Sequence, residues 1–399
     1  MNILVINAGS SSLKYQLINM DTEKVIAKGI AERIGAEGSL LKHTPFDRER
    51  IIIEQELPNH EVTMQLVLNT LLHPEYGVIS GMDEINAVGH RVVHGGEKFS
   101  EPVIINDEVM AAIEECASLA PLHNRPNMLG IQACQKAMPG TPMVAVFDTA
   151  FHQTVPNYAY LYGIPYSDYK DFKVRRYGFH GTSHYYLSRR VAENIGRPVE
   201  ELKTITCHLG NGASVAAIEY GKSIDTSMGL TPLEGLIMGT RCGDLDAGAA
   251  MYLMDRHNFD IMQLNDYLNK HCGVLGLSGL SSDFRDLEAA AKSGNEQAAL
   301  VRYIFCYRIK KYIGSYAAIM NGVDAIVFSG GIGESNPDIR YNTVKDMSYL
   351  GIEIDPVPNE TRGQEICIST PRSKVSVWVI PTDEEMTIAK ETLNLIKDA

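Results

Sequence analysis

Two arginines stand where an anionic ligand would need them. Arg91 lies within His90-Arg91-Val92-Val93-His94-Gly95-Gly96, and Arg241 within Met238-Gly239-Thr240-Arg241-Cys242-Gly243-Asp244. A guanidinium binds carboxylate or phosphate through paired N–H bonds and neutralises a transferring phosphoryl group. The neighbouring glycines allow close approach of a ligand; a structural ion pair is the alternative for either arginine. Three glycine turns accompany them: Asn7 to Ser12, Gly210-Asn211-Gly212-Ala213-Ser214, and Ser329-Gly330-Gly331-Ile332-Gly333-Glu334-Ser335-Asn336. Such turns expose N–H groups and hydroxyls that can surround phosphate oxygens. Lys14, just past the first turn, adds a point charge. The third turn is expected to open into a helix at Ser335 or Asn336, whose amino terminus would favour an anion. Asp148, Glu384 and Asn7 are candidate Mg2+ ligands, directly or through water, because Mg2+ takes few protein oxygens beside phosphates. For Glu384 the sequence alone favours the other reading, a first-turn acid complementing a helix dipole.

These residues need strands to hold them. Ile3 to Ile6 is an apolar run, Asn7 to Ser12 turns the chain, and Leu13, Tyr15 and Leu17 then alternate with polar residues, as in a hairpin. The same grammar returns at Thr204 to Leu209, the Gly210 turn and Val215 to Glu219, with His208-x-Gly210 opposite Asn7-x-Gly9. Internal duplication explains the recurrence; chance is the alternative. Met143 to Phe147 is a strand delivering Asp148 at its carboxyl end, and Ala325 to Phe328 opens into the third glycine turn. Open α/β sheets place ligands at such ends. Helices are expected over 107–119, 183–195, 260–271, 297–320 and 384–397, and the Tyr- and Pro-rich passage Val155 to Tyr166 is a candidate domain boundary.

Other chemistries fit less well. Gly221-Lys222-Ser223 resembles the end of a P-loop, but Ala216 stands where the first glycine belongs and the context is a hairpin. The third turn lacks the G-x-G-x-x-G spacing of a dinucleotide fingerprint. His90 and His94, like His180 and His184, are four apart but lack the glutamate of an H-E-x-x-H metal site. With 399 residues, two domains are expected. The net charge of −13 argues against non-specific nucleic-acid binding. Seven scattered cysteines form neither a disulfide framework nor a zinc pattern, which points to a reducing, cytoplasmic setting. The amino terminus does not read as a signal peptide, and no apolar run is long enough for a membrane span.

Taken in order, the strings Asn7-Ala-Gly-Ser-Ser-Ser-Leu-Lys-Tyr, Gly89-His-Arg-Val-Val-His-Gly-Gly-Glu-Lys, Phe147-Asp-Thr-Ala-Phe-His, Arg176-Tyr-Gly-Phe-His-Gly-Thr-Ser-His, Cys207-His-Leu-Gly-Asn-Gly-Ala-Ser, Gly229-Leu-Thr-Pro-Leu-Glu-Gly and Gly331-Ile-Gly-Glu resemble the acetate kinase family. That family lies within the actin-like ATPase and sugar kinase superfamily, and the resemblance covers essentially the whole chain. It implies an α/β protein of two duplicated actin-like (ribonuclease H-like) domains around a nucleotide cleft. Residues 1–150 with 385–399 would form the first domain, and 151–384 the second, carrying the nucleotide site. It implies a homodimer and reversible, Mg2+-dependent phosphoryl transfer from ATP to acetate, giving acetyl phosphate and ADP, with Mn2+ as a substitute for Mg2+. By the same resemblance Asn7 and Glu384 bind the metal. Arg91 and Arg241 hold the carboxylate and phosphoryl oxygens, Asp148 serves the catalytic centre, and His180 stabilises the transferring group. Lys14, His208, Leu209, Gly210, Asn211, Gly212, Asp283, Phe284, Arg285, Gly331, Ile332, Gly333, Glu334 and Ser335 would contact the nucleotide. Val93, Leu122, Phe179 and Pro232 resemble the pocket for the substrate methyl group. A propionate or butyrate kinase is the neighbouring reading, and an actin-like ATPase without kinase activity is the reading of another class. The chain departs from the family at Ser335-Asn336, Arg125-Pro126, Cys242 and Ala247.

Overall fold

A computed structural model describes residues 1–117, 119 and 121–397, with the backbone alone for 121–123. The chain divides into two compact units, Met1–Ala150 with Asp383–Ala399, and Phe151–Thr382. The division falls just before the Val155 to Tyr166 passage, and the return comes at Asp383, two residues earlier than 385. The helix Glu384–Lys397 belongs whole to the first unit because it packs on that unit's strands.

Among the described residues the first unit carries eight strands: β1 (Asn2–Ala8), β2 (Ser12–Asn19), β3 (Lys24–Glu32), β4 (Leu40–Pro45), β5 (Ile51–Glu54), β6 (Ile85–Val92), β7 (Val103–Ile104) and β8 (Met143–Phe147), in the order β5-β4-β3-β2-β1-β6-β8-β7. Strands β1, β2 and β3 pair antiparallel, β6 and β8 join in parallel, and β7 closes the edge antiparallel to β8. The apolar run of β1 is continuous because both faces are covered. Leu4 and Ile6 face the core that contains Met64, Val67 and Cys134, while Ile3 and Val5 face Ile388 and Ala389 of the last helix. Each of these four side chains is at most 1% exposed and contributes roughly 2 kcal/mol by burial.

In the second unit the strands are β9 (Lys203–Leu209), β10 (Ala213–Glu219), β11 (Lys222–Thr226), β12 (Ala325–Ser329), β13 (Ile366–Cys367) and β14 (Ser376–Val379), ordered β11-β10-β9-β12-β14-β13. The first three are antiparallel, β12 and β14 are parallel additions, and β13 pairs antiparallel with β14. Six strands of the first sheet therefore recur in chain order, spatial order and sense. β4 and β5 extend the first sheet alone. Coincidence of a glycine hairpin does not account for a six-strand match; duplication does. Gly221-Lys222-Ser223 lies at the β10–β11 hairpin, where Tyr220 and Gly221 both have positive φ, the geometry of a tight two-residue turn.

The helix Glu296–Ile319 packs on β9 and β10, and Gly181–Ile195 lays Leu187 and Val191 against Ala325 and Val327. The helix expected over 107–119 ends at Cys116. Among the described residues no helix is long and apolar enough to cross a membrane.

Candidate active site

In the first unit β1 pairs with β6 up to Ile6 opposite His90, one residue before Asn7 and Arg91. Arg91 grips Asp148 with two bonds, Nε to Oδ1 at 2.9 Å and Nη2 to Oδ2 at 2.5 Å, and turns Nη1 towards Asn7 Oδ1 at 3.4 Å. Asp148 continues β8 by a bond from its N–H to Val92 O at 3.0 Å and is 1% exposed, whereas the Arg91 side chain is 21% exposed. Burial opposes the charge of Arg91, but the Asp148 carboxylate, with Glu384 and Glu385, outweighs it and holds the guanidinium above its ordinary value. This is an arginine fixed on one side and open on the other, as anion binding requires.

The neighbouring backbone is pinned by buried polar side chains that the sequence did not single out. Asn127 accepts from Val93 N–H at 3.0 Å and donates to Ala8 O at 2.7 Å, tying the exit of β6 to the first glycine turn. Asn124 accepts from His94 N–H at 3.0 Å, and His60 Nε2 meets Gly9 O at 2.7 Å. Leu122 lies outside the described side chains. Arg125 is exposed and Pro126 is buried inside the helix Pro121–Ala137.

Asp383, Glu384 and Glu385 form a run of three acids at the start of the last helix. Burial raises all three above the ordinary carboxylate range; for Glu384, Arg91 and Lys14 pull downward while Asp148 and Asp383 push up. Glu384 Oε1 is buried and has no hydrogen-bond partner among the described residues. A carboxylate oxygen in that position fits a cation, and Asn7 Oδ1 is a second oxygen of the right kind. No group of three or more His, Cys, Asp or Glu suited to a metal occurs among the described residues. A divalent ion here would therefore depend on few protein ligands plus phosphate and water.

In the second unit the glycine turn joins β9 to β10, with Gly210 N–H bonded to Gly212 O at 3.0 Å. A Cβ placed on Gly212 would lie 3.4 Å from His180 Nε2 and 3.6 Å from Arg241 Nη1. Two donors thus converge on one glycine turn. Arg241 is steadied by Nη1 bonding to Pro232 O at 3.1 Å, and the Asn211 carbonyl accepts from Gly239 N–H at 3.0 Å. His180 caps the helix Gly181–Ile195 from a left-handed backbone, φ 57°, a conformation that costs a non-glycine residue free energy and recurs at functional sites. Phe179, immediately before it, is buried, and its carbonyl meets His152 Nε2 at 3.0 Å.

Around His180 stands a set of histidines satisfied by hydroxyls. His208 stacks on His180 with ring centroids 4.3 Å apart, and its Nδ1 meets Ser183 Oγ at 2.8 Å. Ser183 Oγ also meets Thr382 Oγ1 at 2.8 Å, and His152 Nδ1 meets Ser223 Oγ at 2.8 Å. Both nitrogens of His184 meet hydroxyls, Thr206 Oγ1 at 2.6 Å and Ser214 Oγ at 2.8 Å. Sequence spacing showed the His180–His184 pair but not these partners, which lie 22 to 34 residues away.

The third glycine turn is a correction. The helix expected at Ser335 or Asn336 is present, starting at Pro337 with Asn336 in the N-cap position, but the run Gly330–Ser335 before it is itself helical rather than an open turn, with Ser329 in its N-cap position. Three glycines disfavour a helix by propensity, and tertiary contacts override that. A Cβ on Gly330, whose φ is 74°, would fall 2.7 Å from Leu209 O, so the chain can leave β12 here only as glycine. Arg340, fully buried, donates Nη1 to Gly333 O at 2.8 Å and to Glu334 O at 3.1 Å, Nε to Asn359 Oδ1 at 3.1 Å, and Nη2 to Asn359 O and to Thr361 O at 2.9 Å. Burial, with Arg362 nearby, lowers its pKa to about 10. Asn336 turns its amide back to Ile332 O at 3.3 Å, and Glu334 Oε1 accepts from Thr382 N–H at 3.3 Å. Ser335 offers its carbonyl to Arg362 at 2.6 Å.

Of the remaining nucleotide candidates, Asp283 caps the helix Phe284–Lys292 and pairs with the exposed Arg285 at 2.6 Å. Phe284 is committed to the core against Phe305, with centroids 4.6 Å apart, so its ring is not available to a ligand. Leu209 is likewise buried, while Gly331 is exposed. Lys14 lines a groove of about 370 Å³ with Lys28, Lys42, Arg50, Glu32 and Glu385.

Two sheets sharing a six-strand topology, each with a glycine turn after its first strand, define a protein of two repeated α/β units. The chain belongs to the Acetokinase family, whose model matches residues 2–390. It is 59% identical over 397 residues to acetate kinase of Desulfitobacterium hafniense (strain DSM 10664 / DCB-2), spanning all of both chains. Among solved structures it is similar to Porphyromonas gingivalis acetate kinase (49% identity, TM-score 0.95) and to a propionate kinase from Francisella tularensis subsp. tularensis SCHU S4 (40% identity, TM-score 0.92), with 99% of each chain covered.

Proposed function

We infer that this protein transfers a phosphoryl group reversibly between ATP and acetate, giving ADP and acetyl phosphate. The observation that carries the phosphoryl reading is the convergence of His180 Nε2 and Arg241 Nη1 on the Gly212 turn. Membership of the Acetokinase family, at 59% identity to an acetate kinase, supports the carboxylate acceptor.

A carboxylate nucleophile is already ionised, so catalysis rests on positioning and charge stabilisation rather than on a general base. Arg91, fixed by Asp148, holds the carboxylate or a phosphoryl oxygen on the open side of its guanidinium. Asp148 orients Arg91 and takes no proton. Arg241 and His180 stabilise the equatorial oxygens as charge spreads over them in an in-line transfer. Asn7 and Glu384 would hold Mg2+, which would supply neutralisation of phosphate charge. Turns 210–212 and 331–335, with Lys14, His208, Asp283 and Arg285, serve the nucleotide; Val93, Leu122, Phe179 and Pro232 are assigned to the methyl group by the family resemblance alone. A cytoplasmic homodimer is the assembly we propose. The helices Ala247–His257 and Ile261–Lys270 support it, since they bury none of their residues and leave Met251, Tyr252, Ile261 and Met262 exposed.

The acid's length is the open choice, because one methylene in an apolar pocket is worth roughly 1–3 kcal/mol. Comparing kcat/KM for acetate, propionate and butyrate tests it. Acetate is expected to lead, and a preference for a longer acid overturns the assignment.

A further inference from the structure

Ser214 has one hydroxyl proton and two imidazole nitrogens at 2.8 Å, His180 Nδ1 and His184 Nε2. It donates to one ring and accepts from the other. His184 is fully buried, as are Ser214 and Thr206, and its second nitrogen meets Thr206 Oγ1 at 2.6 Å. The four groups form a chain, Thr206–His184–Ser214–His180, that runs in one of two directions.

Run outward, Thr206 O–H donates to His184 Nδ1, His184 Nε2–H to Ser214 Oγ, and Ser214 O–H to His180 Nδ1. The proton of neutral His180 is then on Nε2, the nitrogen facing the Gly212 turn and Arg241. Run inward, His180 Nδ1–H donates to Ser214, Ser214 to His184 Nε2, and His184 Nδ1–H to Thr206. Thr206 must then send its own proton elsewhere, and His184 is its side chain's one hydrogen-bond partner among the described residues. A buried hydroxyl proton without an acceptor bears a desolvation penalty that nothing offsets, so the outward direction is favoured.

We propose that Thr206, His184 and Ser214 are positioning residues that hold His180 as a neutral Nε2–H hydrogen-bond donor. The inference rests on the reading above, in which His180 donates to the transferring phosphoryl group. Protonating His180 would place a proton on Nδ1 for Ser214 to accept, and a buried hydroxyl proton, that of Ser214 or of Thr206, would then lose its acceptor, so the relay also resists that charge. His184 suits its place because burial, with His152 and His208 nearby, drives its pKa well down and keeps it neutral.

The test pairs a spectrum with kinetics on the intact protein. Ring-nitrogen 15N–1H correlation spectra should show His180 as the Nε2–H tautomer, and Ser214→Ala and Thr206→Val should shift it towards a mixture. Both variants should lose about tenfold in kcat, the worth of one hydrogen bond, with KM for ATP and acetate within about twofold. Thr206→Ser, which keeps the hydroxyl, should restore both readouts. An Nδ1–H tautomer in the unmodified protein overturns the proposal. So does a fall in kcat with the tautomer unchanged, which would mark a merely structural role. The tautomer is read without turnover: an expected spectrum in a protein that makes no acyl phosphate would uphold the relay and refute the proposed function.

Discussion

The two glycine hairpins occupy the same place in two sheets of the same topology, yet their surroundings are opposite in kind. Around the β1–β2 turn the groups are ionic: Arg91 bonded twice to Asp148, three acids at the head of the last helix, and Lys14. Around the β9–β10 turn they are mostly neutral, with four histidines each bonded to a serine hydroxyl. Each sheet extends its inner strands by one more backbone bond, from Asp148 N–H to Val92 O at 3.0 Å and from Ile380 N–H to Phe328 O at 3.1 Å. One bond delivers a carboxylate and the other an isoleucine. Duplication copied the geometry of a strand end, and side-chain change then made one copy a charge holder and the other a set of aimed donors.

The sharpest way to break that contrast is to remove the cation on the neutral side. Arg241→Ala should lower kcat by roughly a thousandfold with the fold intact, because its charge acts on the transition state; steady-state kinetics with circular dichroism check both halves. Near-normal turnover would make Arg241 a structural residue. On the ionic side Asp148→Asn leaves Arg91 without its charged partner. It should cost about a hundredfold in kcat through misplacement of the guanidinium, and about 3 kcal/mol of stability by chemical denaturation.

Glu384→Gln sharpens the comparison in a different currency, since it should stabilise the metal-free protein by about 1 kcal/mol. Burial raises the Glu384 pKa from 4.5, so between that value and the raised one the folded state binds more protons than the unfolded state. Stability from this group therefore falls as pH rises through that window. The variant should flatten the fall and should lose the stabilisation that added Mg2+ gives the unmodified protein, both read from denaturation midpoints. Smallest of all, Arg285→Ala should leave stability unchanged and raise the KM for ATP a few-fold, as its pair with Asp283 is exposed.

Much of this was legible in the sequence where the signal is local. The apolar run before Asn7, the strand delivering Asp148 and the helix beginning at Glu384 were read as they stand, because patterning and strand ends lie within a few residues of one another. What escaped is held by distant partners. Asn127 pins Ala8 from 119 positions away, and Ser214, Thr206 and His184 meet only when β9, β10 and a helix are packed together. The helix at Gly330 escaped for another reason: its glycines read as a turn, and the bonds that hold its carbonyls come from Arg340, later in the chain.

The central claim is transfer of a phosphoryl group to a carboxylate, and trapping the product tests it most directly. The protein is incubated with ATP, Mg2+ and acetate in the presence of hydroxylamine, and acyl hydroxamate and ADP are measured together. The account predicts acetyl hydroxamate formed one-for-one with ADP and absent when acetate is omitted. ADP released without hydroxamate, at a rate indifferent to acetate, would contradict it.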